Sequence, residues 1–326
     1  MKARLAIFDS MKIFGFSLLF AGVAATPAFS CDLCSIYSAN QAHGEMGKGF
    51  LAGVAEQYTH FATTQLDGVE VPNTVGQYLN SSISQVFVGY NFTPRFGLQF
   101  NLPVIYRSYK RPDGFAIQYG TVNGIGDASL IGHFALVQKQ HDDWSLHWTV
   151  LGGVKFSTGD SSLLAEEFNE TEVPGAPESG IHGHDLALGS GSVDGVVGTS
   201  FFASWKRGFF SANMQYAART TGSYDYRYAN DITWSGGPGV YLLLGDVWTL
   251  SLQLNVSGES KGLDTFQGRL ADDTGMTAVS LGPLFQLGWK STLSADLGVD
   301  IPVIQNNTAF QTVPNYRLRG SVTVRF

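Results

Sequence analysis

The last eleven residues, YRLRGSVTVRF, alternate between two kinds of side chain. One set is apolar or small: Tyr316, Leu318, Gly320, Val322, Val324 and Phe326. The other set is polar: Arg317, Arg319, Ser321, Thr323 and Arg325. A period of two residues is the signature of a β-strand whose two faces meet different surroundings. The segment therefore predicts a strand with one apolar and one polar face, ending on an aromatic residue.

The same alternation recurs upstream, in WTLSLQLNVS, STLSADLGVDI, FGLQFNLPVIYR and FFSANMQYA. We predict about twelve strands, beginning near residues 50, 79, 95, 126, 144, 193, 208, 236, 248, 277, 291 and 316. Short connections (NFTPR, KQHDD, WKRG, LGDV and GWKS) alternate with longer ones around 64–78, 109–124, 159–192, 222–228, 260–275 and 306–315. Short turns at one rim and long loops at the other are typical of bacterial outer-membrane barrels.

The direction of the apolar face decides between two all-β folds, because a soluble β protein would bury the same side chains in its core. A twelve-stranded barrel is too wide for side chains to fill, so its interior is expected to be polar and wet. Aromatic residues stand beside the short turns, as in an interfacial girdle: Tyr90, Phe96, Trp205, Trp248 and Trp289. We therefore predict an all-β, transmembrane, antiparallel up-and-down β-barrel over residues 49–326.

The last strand also has the right length to span a membrane. At about 3.3 Å per residue and a tilt of about 40°, Tyr316 and Phe326 differ in height by about 25 Å, which matches the apolar band of such barrels. The terminal Phe326 resembles the C-terminal signature that the barrel assembly machinery reads in outer-membrane proteins. Lipid and lipopolysaccharide are the expected surroundings.

The first thirty residues have the layout of a cleaved signal peptide. Basic Lys2 and Arg4 precede the apolar run FGFSLLFAGVAA, and small residues place cleavage after Ser30. Acylation of Cys31 as a lipoprotein is disfavoured, since no aliphatic residue stands three positions before it. No other stretch approaches the ~20 apolar residues of a membrane helix. Export to the outer membrane of a Gram-negative cell is the expected localisation.

Residues 31–48 form an N-terminal segment on the periplasmic side, and it contains the motif CDLC. Cys31 and Cys34 could form a disulfide in this oxidising compartment or hold a metal ion together with His43. Haem attachment is disfavoured because Ser35 stands where that motif requires histidine. The segment could plug the lumen or dock on a periplasmic partner.

Four motifs resemble a family of outer-membrane proteins described as putative transporters of the "MetA-pathway of phenol degradation" type. They are GIGDASL (124–130), GGVKFSTGD (152–160), GSGSVDGVVG (189–198) and the strand LQFNLPVIYR. The resemblance implies a channel with a role in the uptake of hydrophobic or aromatic small molecules. The cysteine-bearing N-terminus departs from the pattern and leaves a specialised role open.

Ionisable residues on the polar faces are candidate pore-lining groups, because such residues inside a membrane protein are site hypotheses by default. By alternation they are Arg107, Asp127, His133, His147, Lys155, Arg219, Asp296, Asp300, Arg317, Arg319 and Arg325. Opposed rows of arginine and aspartate could select ions or anionic solutes. Alternatively, Arg317, Arg319, Asp296 and Asp300 pair and brace the wall.

The 159–192 stretch is long and acidic, with Asp160, Glu166, Glu167, Glu170, Glu172, Glu178 and Asp185. It could fold over the mouth as a lid, or bind divalent ions that bridge it to lipopolysaccharide. Its composition favours a solvated, mobile loop over both of these. His182 and His184 could contribute to a metal site there.

Several functions are disfavoured. The net charge of -7 with only 20 Lys plus Arg gives no electrostatic footprint for nucleic acid. An enzyme is not expected, because no His-x-Ser-Asn motif is present and GSGSVDG lacks the elbow of a hydrolase serine. The sequence predicts a channel that passes a small solute by diffusion, without a cofactor. The alternative is a barrel scaffold whose CDLC segment binds a metal or a redox partner.

Overall fold

The computed structural model describes residues 48–169 and 173–326. The predicted signal peptide, Cys31, Cys34, His43, Glu170 and Glu172 lie outside the described residues. The barrel strands are β1 (Gly49–Leu66), β2 (Tyr78–Asn91), β3 (Phe96–Asp113), β4 (Ser129–Gln140), β5 (Trp144–Lys155), β6 (Asp194–Trp205), β7 (Gly208–Ala218), β8 (Asp231–Leu244), β9 (Trp248–Lys261), β10 (Met276–Trp289), β11 (Leu293–Asn307) and β12 (Phe310–Arg325).

Each strand pairs with its sequence neighbours, and the sheet closes on itself where β12 pairs antiparallel with β1. This closing ladder runs from Leu51 opposite Arg325 to Leu66 opposite Phe310. Closure gives every strand a partner on both sides, which leaves no edge exposed to hydrocarbon. The prediction of a twelve-stranded, antiparallel up-and-down barrel is confirmed.

The connections alternate between the two rims. Residues 92–95, 141–143, 206–207, 245–247 and 290–292 form tight turns at the rim where the barrel chain begins and ends. At the other rim, 67–77, 114–128, 156–193, 219–230 and 262–275 are longer. The expected long loop at 306–315 is wrong: only Thr308 and Ala309 separate β11 from β12. The alternation there is masked by a bulge, where Asn315 Oδ1 accepts hydrogen bonds from the backbone N–H groups of Ala62 and Thr63.

The outer surface carries the apolar set of side chains. Leu254, Phe285, Leu297 and Leu318 are exposed there, whereas polar neighbours such as Gln253 are buried inside. Because these apolar side chains form a band around a closed sheet, the outside of the barrel suits lipid.

Aromatic rings gather at the short-turn rim. The ring centroids of Tyr90 and Phe92 lie 5.0 Å apart, those of Phe92 and Phe96 lie 5.7 Å apart, and those of Trp248 and Trp289 lie 6.1 Å apart. Such rings, with an apolar body and a polar edge, favour the membrane interface. They mark the height at which the barrel leaves the hydrocarbon.

The long-loop rim has structure of its own. The strand Ala116–Ile125 extends β3 as a hairpin, and a small sheet combines Tyr226–Arg227, Asp264–Phe266 and Arg269–Ala271. The loop after β5 contains a 3-10 helix, Ser162–Phe168, and the short helix Gly183–Leu186. No helix among the described residues is long and apolar enough to cross a membrane.

A charge on the lipid face should destabilise the barrel. Leu254 is 51% exposed and lies six residues along β9 from Trp248, about 15 Å above the short-turn rim. We expect Leu254→Arg to lower the free energy of unfolding, measured by urea titration in phospholipid vesicles, by about 2–4 kcal/mol. Leu270→Arg, at a residue of the loop rim that is 63% exposed, is the control and should change the free energy of unfolding little. Equal effects of the two substitutions would contradict the assignment of the lipid face.

Candidate functional site

Three of the glycine-rich motifs meet inside the upper end of the barrel. Lys155, at the end of β5, places its Nζ 2.5 Å from Asp127 Oδ2 and 3.0 Å from Asp194 Oδ2. Asp127 belongs to GIGDASL, Lys155 to GGVKFSTGD and Asp194 to GSGSVDGVVG. Their side chains are almost fully buried. Motifs that are far apart in sequence therefore form one charged cluster.

Asp127 ties both ends of the long 156–193 loop to the barrel. Its Oδ1 accepts the backbone N–H of Gly159 at 3.0 Å, and its Oδ2 accepts that of Ser190 at 2.9 Å. The two ends approach so closely that a Cβ on Gly189 would lie 2.6 Å from the backbone of Gly159. Glycine at these positions permits the contact, because any side chain would push the ends apart.

Arg219 extends the cluster across the barrel wall. Its Nη1 lies 3.0 Å from Asp194 Oδ2 and its Nη2 lies 2.8 Å from Asp231 Oδ2. Removing one partner from such a buried network is costly, because it leaves an uncompensated charge. Asp127, Lys155 and Arg219, which alternation assigned to the pore lining, are thus held in ion pairs that fasten the loop.

The 156–193 loop folds into the barrel and packs on its inner wall. Leu188 lies in a buried apolar cluster with the inward-facing residues Ala55, Ile83, Phe87 and Ile105. Burial of these side chains stabilises the loop inside the barrel. Composition favoured a solvated loop, whereas Ile181, Leu186 and Leu188 of the loop are buried against the inner wall.

A second apolar cluster lies higher in the same wall. Ile181 and Leu186 of the loop are buried against Phe61, Leu79 and Tyr109 of β1, β2 and β3. Together the two clusters place the loop against the β1–β3 side of the lumen. The loop therefore obstructs the upper end of the barrel.

Two arginines of β3 hold the loop by its backbone. Arg107 Nη1 donates hydrogen bonds to the carbonyl oxygens of Asp185 at 2.6 Å and Ala187 at 2.8 Å. Arg111 Nη2 forms an ion pair with Glu166 Oε2 at 2.6 Å. Because Arg107 is buried and its donors point at the short helix, it anchors the loop and does not face open solvent.

His184 adds a titratable contact within the loop. Its Nδ1 lies 2.9 Å from Glu167 Oε1, and its Nε2 lies 3.5 Å from Asp185 Oδ1. Burial favours the neutral imidazole, but the carboxylates of Asp185 and Glu167 outweigh it and hold the pKa of His184 well above its usual value. The stabilisation from the charged form is therefore present at neutral pH and is lost as the pH rises through that raised pKa.

His182 and His184 have separate carboxylate partners and do not form the suggested metal site. His182 Nε2 lies 3.3 Å from Asp273 Oδ2, whereas His184 pairs with carboxylates of its own loop. Across residues 48–169 and 173–326, no group of three His, Cys, Asp or Glu is placed to hold a metal ion. Both histidines thus connect parts of the loop rim to one another.

A charged constriction lies beside the cluster that contains Leu188, since Ala55 belongs to both. Arg317 Nη2 lies 3.4 Å from Glu259 Oε2, and Arg319 Nη2 lies 3.4 Å from Asp300 Oδ1. Asp296 lies four residues before Asp300 in β11 and accepts a hydrogen bond from Ser321. The pocket between these side chains has a volume of only about 50 Å³. It has room for one or two water molecules.

A larger cavity opens at the short-turn rim. Its volume is about 690 Å³, and its lining includes His147, Arg325, Gln286 and Lys48. Nearby, His133 Nε2 lies 3.1 Å from Asn91 Oδ1 and is buried in the wall. We call this cavity the vestibule, since it lies between the charged constriction and the short-turn rim.

Sequence reasoning missed several partners of the residues it selected. Arg111 continues the alternation that selected Arg107, and Glu259 continues the polar face of WTLSLQLNVS toward the loop rim. Asp194 stands inside a quoted motif, and Asp231 begins β8. These residues could have been found as charged residues that continue the polar alternation at the loop end of a strand.

No protein-family model matches the chain, and no curated protein matches it. An outer-membrane channel from Pseudomonas putida F1 superposes with a TM-score of 0.58 at 15% identity, covering 86% of this chain and 97% of that one.

Two further solved barrels are more distant. The β domain of a Bordetella autotransporter has a TM-score of 0.44 at 9% identity, covering 86% of this chain and 100% of that one. A Pseudomonas aeruginosa FadL homologue has a TM-score of 0.33 at 11% identity, covering 85% and 90%. The likeness to the Pseudomonas putida structure shows the fold: the chain is a β-barrel of the outer-membrane type.

Proposed function

We propose that this protein is an outer-membrane channel whose lumen is closed by the 156–193 loop and opens when that loop moves. The proposal rests on the cavities inside one closed barrel and on the loop packed beside them. A vestibule of about 690 Å³ opens at the short-turn rim, and farther into the same barrel there is a charged pocket of about 50 Å³, beside which Leu188 of the loop is packed. A solute would cross the charged constriction by diffusion, without a cofactor.

The inner wall supports a solute with aromatic or other apolar parts. Ala55, Ile83, Phe87 and Ile105 form an apolar stripe on β1–β3 that the loop covers through Leu188. When the loop withdraws, this stripe would line the path beside the charged groups. The resemblance of the glycine-rich motifs to the phenol-degradation transporters implies the same class of solute.

The arginines of the constriction should set its ion selectivity. We expect Arg317→Gln with Arg319→Gln to shift the reversal potential in a KCl gradient toward cation selectivity, because Glu259 and Asp300 remain. Single-channel recording in planar bilayers measures this shift. Arg269→Gln, on the exposed strand Arg269–Ala271, is the matched control. Absence of discrete openings in the unaltered protein would contradict the channel itself.

The loop should be released when its backbone anchor is removed. Arg107→Met keeps an unbranched apolar stem but leaves the carbonyl oxygens of Asp185 and Ala187 without that donor. A cost of about 1–3 kcal/mol shifts a closed–open equilibrium by about 5- to 150-fold. We expect a corresponding rise in open probability, with Arg95→Met at the short-turn rim as control. An unchanged open probability would show that the loop does not gate the lumen.

The N-terminal segment is proposed to close the vestibule from the periplasmic side. Lys48, the first described residue, lines the vestibule, so the segment that precedes it joins the barrel at this opening. Deletion of residues 31–46 is expected to raise the conductance. Cys31→Ser with Cys34→Ser should leave the conductance unchanged if the two cysteines only form a disulfide within the segment. If deletion leaves the conductance unchanged, the segment has another role, such as binding a metal or a redox partner.

A further inference from the structure

A group of polar side chains lies on the outer face of β1, β2 and β3. On these strands the even-numbered residues point outward, and Val54, Val86 and Val104 are exposed there. Their odd-numbered neighbours, such as Ala55 and Ile105, are buried inside. Toward the loop rim the outward row becomes polar. We call this row the polar patch, and its members are Glu56, Tyr58, His60, Asn80, Ser82, Ser84 and Ser108.

Glu56 lies within the hydrocarbon part of the membrane. It is six residues along β1 from Phe50, whose ring packs on Tyr90 at the short-turn rim with the centroids 4.7 Å apart. At about 3.3 Å per residue and a tilt of about 40°, Glu56 is about 15 Å above that rim. Because the apolar band is about 25 Å tall, the outer edge of the hydrocarbon is about 10 Å farther up. A glutamate side chain is too short to reach it.

Two serines of β2 hold the carboxylate of Glu56 along the outer surface. Ser82 Oγ donates a hydrogen bond to Glu56 Oε1 at 2.5 Å, and Ser84 Oγ donates one to Glu56 Oε2. Acceptance at both oxygens is the pattern of an ionised carboxylate. The chain therefore fixes a negative charge on its lipid face.

This charge has no cationic partner in the part of the chain that the structure describes. The polar contacts of Glu56 there are the two serine hydroxyls. Hydroxyl groups offset only part of the cost of a charge in hydrocarbon, so an ionisable residue at this depth is expected to have a partner. The counter-ion must come from the surroundings of the barrel, which at this height are lipid.

The rest of the polar patch connects Glu56 with the outer edge of the hydrocarbon. Asn80 Oδ1 accepts a hydrogen bond from Tyr58 at 3.0 Å and lies 2.7 Å from His60 Nδ1. Asn80 Nδ2 donates a hydrogen bond to Ser108 Oγ at 3.2 Å. These groups can hydrogen-bond a polar head group that loses its water as it moves down the barrel surface.

The polar patch ends at Glu56. Nearer the short-turn rim, Val54, Val86 and Val88 are exposed on the same face, and their side chains cannot form hydrogen bonds. A head group that enters from the outer leaflet therefore stops at the carboxylate. This makes the patch a binding site and not a route across the membrane.

A second copy of the chain would not supply the missing charge. The outward residues in register with Glu56 are Ser84 on β2, Val104 on β3 and Gly320 on β12. None of them is a cation. A symmetric contact through this face would bring two Glu56 carboxylates toward each other, and like charges disfavour their ionised forms. The partner is therefore expected to be a cation of another molecule.

We propose that the polar patch binds the head group of a phospholipid that carries a primary ammonium. A carboxylate has about four acceptor positions, of which the two serines use two, and an ammonium offers three N–H donors and a positive charge. The ammonium pairs with Glu56, and the phosphate lies higher, among Tyr58, His60 and Asn80. The site is on the outside of the wall and does not depend on the lumen.

Lipid binding to the delipidated protein tests the site. Native mass spectrometry in detergent micelles compares phosphatidylethanolamine with its N-acetyl derivative, which has the same acyl chains and phosphate but no ammonium. We expect the unaltered protein to bind one molecule of phosphatidylethanolamine about tenfold more tightly than the derivative. Equal affinity for the two lipids overturns the ammonium assignment.

A substitution locates the binding site. Glu56→Gln should remove the preference by weakening the binding of phosphatidylethanolamine alone. Glu70→Gln, the same change on the exposed strand Val69–Val71 at the loop rim, is the matched control and should keep the preference. A preference that survives in Glu56→Gln overturns the site. The same spectra show oligomers, and a dimer that Glu56→Gln dissociates would assign the face to a second copy instead.

An apolar reagent tests the position of Glu56 without a substitution. Dicyclohexylcarbodiimide modifies carboxyl groups that it reaches from the hydrocarbon. In phosphatidylcholine vesicles we expect mass spectrometry to find the modification on Glu56. Phosphatidylethanolamine should slow it several-fold, whereas the N-acetyl derivative should not. Absence of the modification from Glu56, or equal protection by the two lipids, overturns the proposal.

Discussion

The structure depends on the cost of an unpaired backbone polar group in hydrocarbon, which is several kcal/mol for each group. A chain without apolar helices avoids this cost only by closing its sheet, and the ladder between β1 and β12 completes that closure. Once the ring is closed, every strand shows one face to lipid and the other to the interior. The alternation of side chains then fixes which residues lie where.

Closure of twelve strands leaves an interior too wide for side chains to fill. The 156–193 loop occupies much of this space, and it does so by two kinds of contact. Buried pairs centred on Lys155 and Arg219 hold its ends, whereas Leu188 and its neighbours pack on the apolar stripe of β1–β3. A loop held by a few polar anchors over an apolar surface can have a second, displaced arrangement. That property makes the occluded lumen compatible with a gated channel.

The charged constriction lies where the backbone pairing of β11 with β12 stops. Arg319 pairs with Asp300 on the neighbouring strand, Arg317 pairs with Glu259 of β9, and the ladder of β12 with β11 ends at Asp300 opposite Arg317. Ion pairs between side chains therefore hold the inner wall at the level where the backbone ladder ends.

Sequence alone determined the strand count, the lipid-facing side chains and the aromatic rim, because a period of two and short turns are local properties. It did not reveal that β12 begins at Phe310, since Pro314 and Asn315 break the pattern. Nor did it show that Asp127, Lys155 and Asp194 meet. Only the tertiary structure decided those contacts and the folding of the acidic loop into the lumen. The physical reason is that burial and ion pairing depend on which distant residues become neighbours, and that follows from closure of the sheet.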